Sequence, residues 1–316
     1  MLAAHNSRKL LTTKHVIDEI PDPVVKPQQV LIEVHASSVN PLDWKLYKGV
    51  RYVPFKKIVL GHDVAGVVTQ VGDKVTTFKP GDEVYCCLPG LLGGAYAEQV
   101  AVAARNVSLK PENLSMQEAA ATPLAALTAW QALKQTQLKA NDSILIIGAS
   151  GGVGTFAVQL AKAMGADVTG VCGTSNIDLV LTLGADDIID YTQHSIFDNH
   201  QQYDVIFDVI GHESLHSCRY ILKSNGRYIT TNPNPRSIMD IASHGLRANG
   251  QRASFISMKA NGQDLMHIKT LIEAGKVKPI IDKQYSLDQI DEAYAYSQMG
   301  HSRGKIVINL AEPAAV

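Results

Sequence analysis

The run Ser143-Ile144-Leu145-Ile146-Ile147-Gly148-Ala149-Ser150-Gly151-Gly152-Val153-Gly154 constrains this chain more than any other segment. Apolar, strand-type residues lead into Gly148, Gly151 and Gly154, a G-x-x-G-x-x-G spacing. A helical pattern follows at once, with Val153, Ala157, Leu160, Ala161 and Met164 on one face. Strand, glycine turn and helix together let the backbone approach a diphosphate, while N–H groups at the helix start donate to it. A plain strand–helix turn would leave the adjacent Gly151 and Gly152 unexplained, because glycine weakens a helix. The segment therefore predicts a dinucleotide site.

The next strand indicates which dinucleotide. An NAD site usually has Asp or Glu at the end of this strand, holding the adenosine ribose hydroxyls. Here the strand reads Asp167-Val168-Thr169-Gly170-Val171-Cys172 and runs into Gly173, Thr174, Ser175 and Asn176, with Asp167 at the wrong end. A small, neutral, hydroxyl-rich loop removes the repulsion that a 2′-phosphate would meet and offers donors to it. NADPH is therefore expected over NADH. The same Thr174, Ser175 and Asn176 would also serve to cap a helix starting near Ile177.

The chain has 316 residues, which suits two domains. With 46% hydrophobic residues, 19% charged and a net charge of −1, it carries no electrostatic argument for nucleic acid or an anionic membrane. No apolar run reaches transmembrane length, and the start, Met1 to Arg8, has no signal-type hydrophobic stretch. The four cysteines, Cys86, Cys87, Cys172 and Cys218, show no C-x-x-C spacing, so a reducing cytoplasmic setting is expected.

Two textures divide the chain. Residues 1 to about 118 read as all-β, with valine-rich strands at Val30–His35, Val64–Val71, Val84–Tyr85 and Tyr96–Val102 between Gly/Pro turns, a pattern that suits a small barrel or sandwich. Gln117 to Leu133 reads as one helix. Strands at Ile144–Ile147, Val168–Val171, Asp187–Ile189, Tyr203–Ile210, Gly226–Thr230 and Ala253–Ile256 then alternate with helices to about residue 257, which predicts a doubly wound parallel sheet. After it come a helix near Gln263–Ala274, a capping box at Ser286 and Gln289, and a last strand from Lys305 to Leu310. If that strand returns to the first domain, the dinucleotide domain (119–257) is inserted between 1–118 and 258–316, with the active site in the cleft between them.

Five separated blocks resemble the medium-chain dehydrogenase/reductase superfamily: Val39-Asn40-Pro41-Leu42-Asp43, Gly61-His62-Asp63-Val64-Ala65-Gly66-Val67-Val68, Pro123 to Trp130, Gly184 to Tyr191, and Arg303-Gly304-Lys305-Ile306-Val307. Within it the chain is similar to the zinc-independent quinone oxidoreductases of the zeta-crystallin and reticulon-interacting branch. The resemblance implies an α/β fold, with a GroES-like β-barrel catalytic domain and a Rossmann domain. Family members usually open on a strand of the type M-K-A followed by apolar residues. The polar start Leu2 to Lys9 therefore predicts a first strand that is shortened or missing.

The resemblance also implies roles. Ser150, Gly151, Gly152 and Val153 would cradle the diphosphate, and Gly173, Thr174 and Ser175 would meet the 2′-phosphate, with Tyr191 near the adenosine. Asp208, Val209, Ile210 and Gly211 would line the nicotinamide ribose, Thr128 its amide, and Arg303 the nicotinamide side or a phosphate. Thr230, Thr231, Phe255 and Ile256 would complete the carboxyl edge. Asn40 and Asp43 would anchor the substrate loop and the nicotinamide ribose, with Lys45 as donor to the substrate oxygen and Tyr47 and Tyr52 for stacking or proton donation.

A catalytic zinc needs about three protein ligands. Zinc relatives take Cys, His and Cys from three of these blocks. Here Asn40 and Leu124 stand at the cysteine places and only His62 remains, so no metal is expected and His62 is read as a hydrogen-bonded residue. Without a Lewis acid for an alkoxide, hydride transfer to a quinone or an α,β-unsaturated carbonyl is the expected chemistry, because the charge lands on an already delocalised oxygen. The alternatives are a zinc alcohol dehydrogenase with unusual ligands and an NADPH-binding structural protein with vestigial activity. Small-molecule substrates are the expected partners, with no nucleic acid or membrane, and a homodimer is the expected assembly.

Overall fold

In the computed structural model, which describes residues 1–6, 14–50, 57–198, 201–242 and 249–310, the chain divides into two units. One comprises Met1–Leu124, Lys259–Glu273 and Pro279–Val316, the other Ala125–Met258 and Ala274–Lys278.

The second unit is built on six parallel strands in the order Asp187–Asp190, Asp167–Cys172, Ser143–Ile147, Tyr203–Asp208, Leu222–Thr230 and Arg252–Phe255. Counted along the chain this is 3-2-1-4-5-6, the order of a Rossmann sheet. Ser143–Ile147 is central, and Ile144, Leu145 and Ile146 are fully buried, as expected for a strand covered on both faces. Leu145, Ile147, Val171, Tyr203, Ile206, Leu215, Tyr228 and Ala253 form one apolar cluster of this unit. Helix Gly152–Ala163 follows the glycine turn and ends at Met164, with Gly165 at φ +83° just beyond.

Two expected elements differ from the observed ones. The single helix over Gln117–Leu133 is two: Met116–Ala120, opened by a Ser115/Glu118 capping box, and Pro123–Gln135. Pro123 has no N–H to continue the first helix but is well suited to begin a second. The strand from Tyr203 stops at Asp208, two residues short, because the Asp208 carboxylate turns the chain. It accepts the N–H groups of Ile210 (3.1 Å), Gly211 (2.8 Å) and Glu213 (2.8 Å).

The first unit carries a seven-stranded sheet whose path is Ile281–Ser286, Lys305–Asn309, Gln29–Val39, Asp63–Val71, Glu83–Cys87 and Val107–Leu109, with Gln99–Ala103 also on Gln29–Val39. This is the GroES-like part, but its described strands pair as an open path, not as the closed barrel the sequence suggested. Gln29–Val39 bends at two register irregularities, between Leu31 and Ile32 and between Val34 and Ala36, and so serves three neighbours. Its alternate residues Val30, Ile32 and Val34 point into a core with Val64, Val68, Val84 and Val102. The first strand is short but present: Leu2–His5 pairs antiparallel with Val16–Glu19. Lys305–Asn309 pairs antiparallel with Gln29–Val39, Val307 opposite Ser38, so the end of the described chain returns to its beginning.

The glycine turn is set by close packing. A Cβ at position 154 would stand 2.0 Å from the Gly148 carbonyl oxygen, whereas one at 151 would meet that oxygen at 3.6 Å. Gly154→Ala is expected to cost about 2–3 kcal/mol through overpacking, and Gly151→Ala under about 1 kcal/mol. Urea denaturation of the two variants checks the order.

Candidate active site

The carboxyl ends of the parallel strands bring most of the expected cofactor residues to one rim. Ser150, Gly151, Gly152 and Val153 follow Ser143–Ile147, and Gly173, Thr174 and Ser175 follow Asp167–Cys172. Tyr191 follows Asp187–Asp190, Val209 and Gly211 follow Tyr203–Asp208, and Thr230, Phe255 and Ile256 end the last two strands. The fit to a dinucleotide rests on the turn itself. Gly151 caps helix Gly152–Ala163 in an extended conformation with no side-chain cap. The first N–H groups of that helix thus have no side-chain acceptor of their own, and they lie beside a backbone without a Cβ, as a diphosphate requires.

Around the rim most side chains are held by local bonds. Asn176 donates to the Ser150 hydroxyl at 3.2 Å. Thr230 is fully buried, and its hydroxyl accepts Asn232 N–H at 3.2 Å. Thr231 donates to the Val209 carbonyl at 2.7 Å. Gly211 adopts φ +85°, and a Cβ there would fall 2.0 Å from the Asn232 carbonyl oxygen. Asp208 shapes this turn from below and also accepts the Tyr228 hydroxyl at 2.9 Å, which places it among the turn-builders. Thr128 is buried on helix Pro123–Gln135, while Tyr191 and Phe255 are exposed. Thr174 is tied to a residue the sequence reading did not single out: its hydroxyl donates to Asp190 Oδ2 at 2.5 Å.

The first unit holds a buried polar network around Asp43, His62 and Asp63. Asp63 Oδ2 accepts Ser38 Oγ (2.5 Å), Asn40 Nδ2 (2.8 Å) and Lys305 Nζ (3.4 Å), and its Oδ1 accepts Leu124 N–H (2.7 Å). Lys305 Nζ also donates to Asn40 Oδ1 at 2.5 Å. Asp43 accepts Asn40 N–H (2.8 Å) and the Tyr96 hydroxyl (3.0 Å) on Oδ2, and pairs with His62 Nδ1 (2.7 Å) through Oδ1. His62 Nε2 lies 3.3 Å from the Gly90 carbonyl oxygen. Both partners of the His62 ring are oxygen acceptors, a carboxylate and a carbonyl, an arrangement that favours the protonated ring. Burial alone would lower its pKa, but the hydrogen bond and charge of Asp43, helped by Asp63 and the Gly90 carbonyl, carry it above the usual histidine value. Burial, with Asp43 adding, keeps the Tyr96 hydroxyl protonated as a donor.

Asn40 and Asp43 thus engage their polar atoms inside the unit, and both are buried. Lys45 lies on helix Pro41–Val50, where the sequence suggested a loop; it is exposed, 5.7 Å from the Trp44 ring centre. Tyr47 is a core residue stacked on His15 at 3.9 Å. Arg303 belongs to the first unit, is exposed, and donates its backbone N–H to Asp282 at 3.1 Å. Tyr52 lies outside the described residues. The sequence reading missed Ser38, Tyr96 and Lys305 as members of the network. The signal for Lys305 was available in the Arg303-Gly304-Lys305 block, but its buried carboxylate partner is 242 residues away.

Residues 26–112 match the alcohol dehydrogenase GroES-like domain family, and residues 183–308 match the zinc-binding dehydrogenase family. The chain is 36% identical to the mitochondrial NAD(P)H oxidoreductase RTN4IP1 of Homo sapiens, over 90% of this chain and 82% of that one. It is also 36% identical to the 2-methylene-furan-3-one reductase of Solanum lycopersicum, over 91% and 73%. In structure it is similar to the quinone oxidoreductase from Coxiella burnetii, with TM-score 0.88, 28% identity and coverage of 98% and 99%. The chain belongs to the medium-chain dehydrogenase/reductase superfamily, in its zinc-independent quinone oxidoreductase branch. It is an oxidoreductase of a class that works with a nicotinamide cofactor. No helix among the described residues is long and apolar enough to cross a membrane.

The network makes two predictions. The Asp63–Lys305 pair is almost fully buried, at 0% and 4% exposure, so Lys305→Met leaves an uncompensated charge and is expected to cost about 3 kcal/mol or more, read by urea denaturation. His62 holds its proton more tightly folded than unfolded. Its contribution to stability is in full below the unfolded pKa of about 6.5 and is lost as pH rises through the raised folded value. The stability advantage of wild type over Asp43→Asn should therefore shrink as pH rises across that window, which denaturation curves at several pH values check.

Proposed function

We propose that this chain transfers hydride from NADPH to a quinone or an α,β-unsaturated carbonyl without zinc. The observation that carries the reading is the placement of His62. A metal takes a neutral imidazole through a lone pair, whereas both nitrogens of His62 face oxygen acceptors, a buried carboxylate and a carbonyl. Asn40 and Leu124, at the two cysteine places, add no ligand. The names of the relatives support the acceptor class: a quinone oxidoreductase and a 2-methylene-furan-3-one reductase.

The bound dihydronicotinamide would supply the hydride. The protein's part is to bind, to orient and to receive charge. The uncapped start of helix Gly152–Ala163 holds the diphosphate, and the turn built by Asp208 presents Val209 and Gly211 toward the nicotinamide ribose. On the loop Gly173–Ser175, which itself carries no charged side chain, the exposed Ser175 hydroxyl supports NADPH by offering a donor to a 2′-phosphate. On the substrate side, Asn40 and Asp43 act as positioning residues that fix helix Pro41–Val50, and the exposed Lys45 ammonium is assigned as donor to the developing oxygen charge. An acceptor that already delocalises this charge needs no stronger electrophile, and solvent can deliver the final proton. The rim strand Arg252–Phe255 ends the described sheet with an open edge, a feature that supports a homodimer.

The test is NADPH oxidation, with NADH in parallel, against quinones, short enones and saturated aldehydes, with and without a chelator. Chelator-insensitive turnover of a quinone or enone, lowered about tenfold or more in Lys45→Met, is the expected result. Chelator-sensitive aldehyde reduction overturns it, as does tight NADPH binding with no turnover of any acceptor.

A further inference from the structure

The end of strand Asp187–Asp190 carries a carboxylate that neither the diphosphate turn nor the substrate side uses. Asp190 pairs in parallel register with Cys172, the last residue of the neighbouring strand. It therefore stands level with the start of the Gly173–Ser175 loop, the place at which this branch of the fold meets the adenosine ribose. A sequence search for an acid at the end of strand Asp167–Cys172 finds none. Folding supplies one from the next strand, 16 residues on from Thr174.

The hydrogen bonds of this carboxylate determine what the loop offers. Thr174 Oγ1 donates to Asp190 Oδ2 at 2.5 Å. Thr192 gives Asp190 Oδ1 both its hydroxyl, at 2.8 Å, and its N–H, at 3.0 Å. A hydroxyl has one proton and two lone pairs. With its proton directed to Asp190, Thr174 Oγ1 keeps only lone pairs; Thr192 Oγ1, 2.8 Å away, stands against one of them, and the other remains at this exposed residue. A ribose 2′-hydroxyl can donate to that lone pair, but a 2′-phosphate, which presents acceptors, cannot. The Thr174 bond above all, with the Thr192 groups and His194 adding, holds the Asp190 carboxyl below the usual aspartate range, so it is ionised at neutral pH. Segments 173–176 and 190–194 contain no Lys or Arg, and His194 is their one side chain that can become cationic. Negative charge therefore stands beside the ribose with no fixed cation on these segments to offset it. Ser175 and Tyr191, both exposed, still have hydroxyl donors for a phosphate, so NADPH is not turned away.

We propose that Asp190 is the residue that sets cofactor choice in this chain, orienting the Thr174 hydroxyl toward a free ribose hydroxyl and opposing a 2′-phosphate, so that NADPH and NADH are both accepted with only a small preference. The proposal rests on the reading that this rim holds the adenosine ribose. A purely structural Asp190, serving as a turn cap for Thr192, would affect stability and leave the choice unchanged.

The experiment separates the ribose end from hydride chemistry. Calorimetry measures binding of adenosine 2′,5′-bisphosphate and of 5′-AMP to wild type, Asp190→Asn and Asp190→Ala, and NADPH and NADH are then titrated by fluorescence. Wild type is expected to bind both members of each pair within about tenfold of one another. Asp190→Asn removes the charge and keeps a side chain of the same size. It should raise the affinity for the bisphosphate relative to 5′-AMP by about tenfold or more, with the same shift for NADPH over NADH. Asp190→Ala should shift the ratio in the same direction, so an unfolded variant of one kind leaves the other to decide. Unchanged ratios in variants that still bind both nucleotides overturn this proposal alone. Failure of wild type to bind any of the four ligands overturns both it and the proposed function.

Discussion

A charged carboxylate sealed inside a protein must be neutralised and hydrogen-bonded on every side, and Asp63 imposes that demand on the first unit. Its oxygens accept from Ser38 and Asn40 at the end of one strand, from Lys305 on the last strand, and from the backbone of Leu124. Those partners lie on three segments far apart in the chain. Each segment is positioned by an interaction that would be strongly unfavourable if left half made, so the return of the strand from Lys305 to the sheet is tied to the burial of Asp63. Asn40 joins this cluster to a second one through its own N–H on Asp43, and Asp43 in turn holds His62 and Tyr96.

The same network fixes the start of helix Pro41–Val50 and the segment at His62 from inside the polypeptide. Two basic side chains, His62 and Lys305, anchor it. Both are nearly inaccessible and paired with carboxylates, so they hold shape and are not free to act on a ligand. The second unit works with fewer side chains. Its carboxyl rim is made of glycines, small hydroxyls and backbone N–H groups, and Asp208 contributes by bending the chain after its strand. This division suits hydride transfer to a delocalised acceptor, which asks for alignment and one hydrogen-bond donor more than for a strong acid or a metal.

Much of the fold was legible locally. The buried strands announced themselves as short apolar runs, the capping box at Ser286 marked a helix start, and the glycine turn identified the strand that would stand at the centre of the parallel sheet. Errors arose where a local rule was overruled by a neighbour. Alanine-rich periodicity hid the break at Pro123, and the apolar run after Tyr203 did not show that Asp208 would end it. The expected barrel is an open path because strand pairing depends on bends in Gln29–Val39 that leave no periodic trace.

The sequence by itself determined the class of the fold, the place of the glycine turn and the family, because each depends on spacings within about a dozen residues or on blocks in a fixed order. Only the tertiary structure decided the burial and the hydrogen-bond partners of the polar groups. It joined Lys305 to Asp63, put both nitrogens of His62 against acceptors, and brought Asp190 level with Cys172 beside Thr174. Hydrogen-bond polarity and burial are properties of surroundings, and those surroundings are assembled from residues the chain itself keeps far apart.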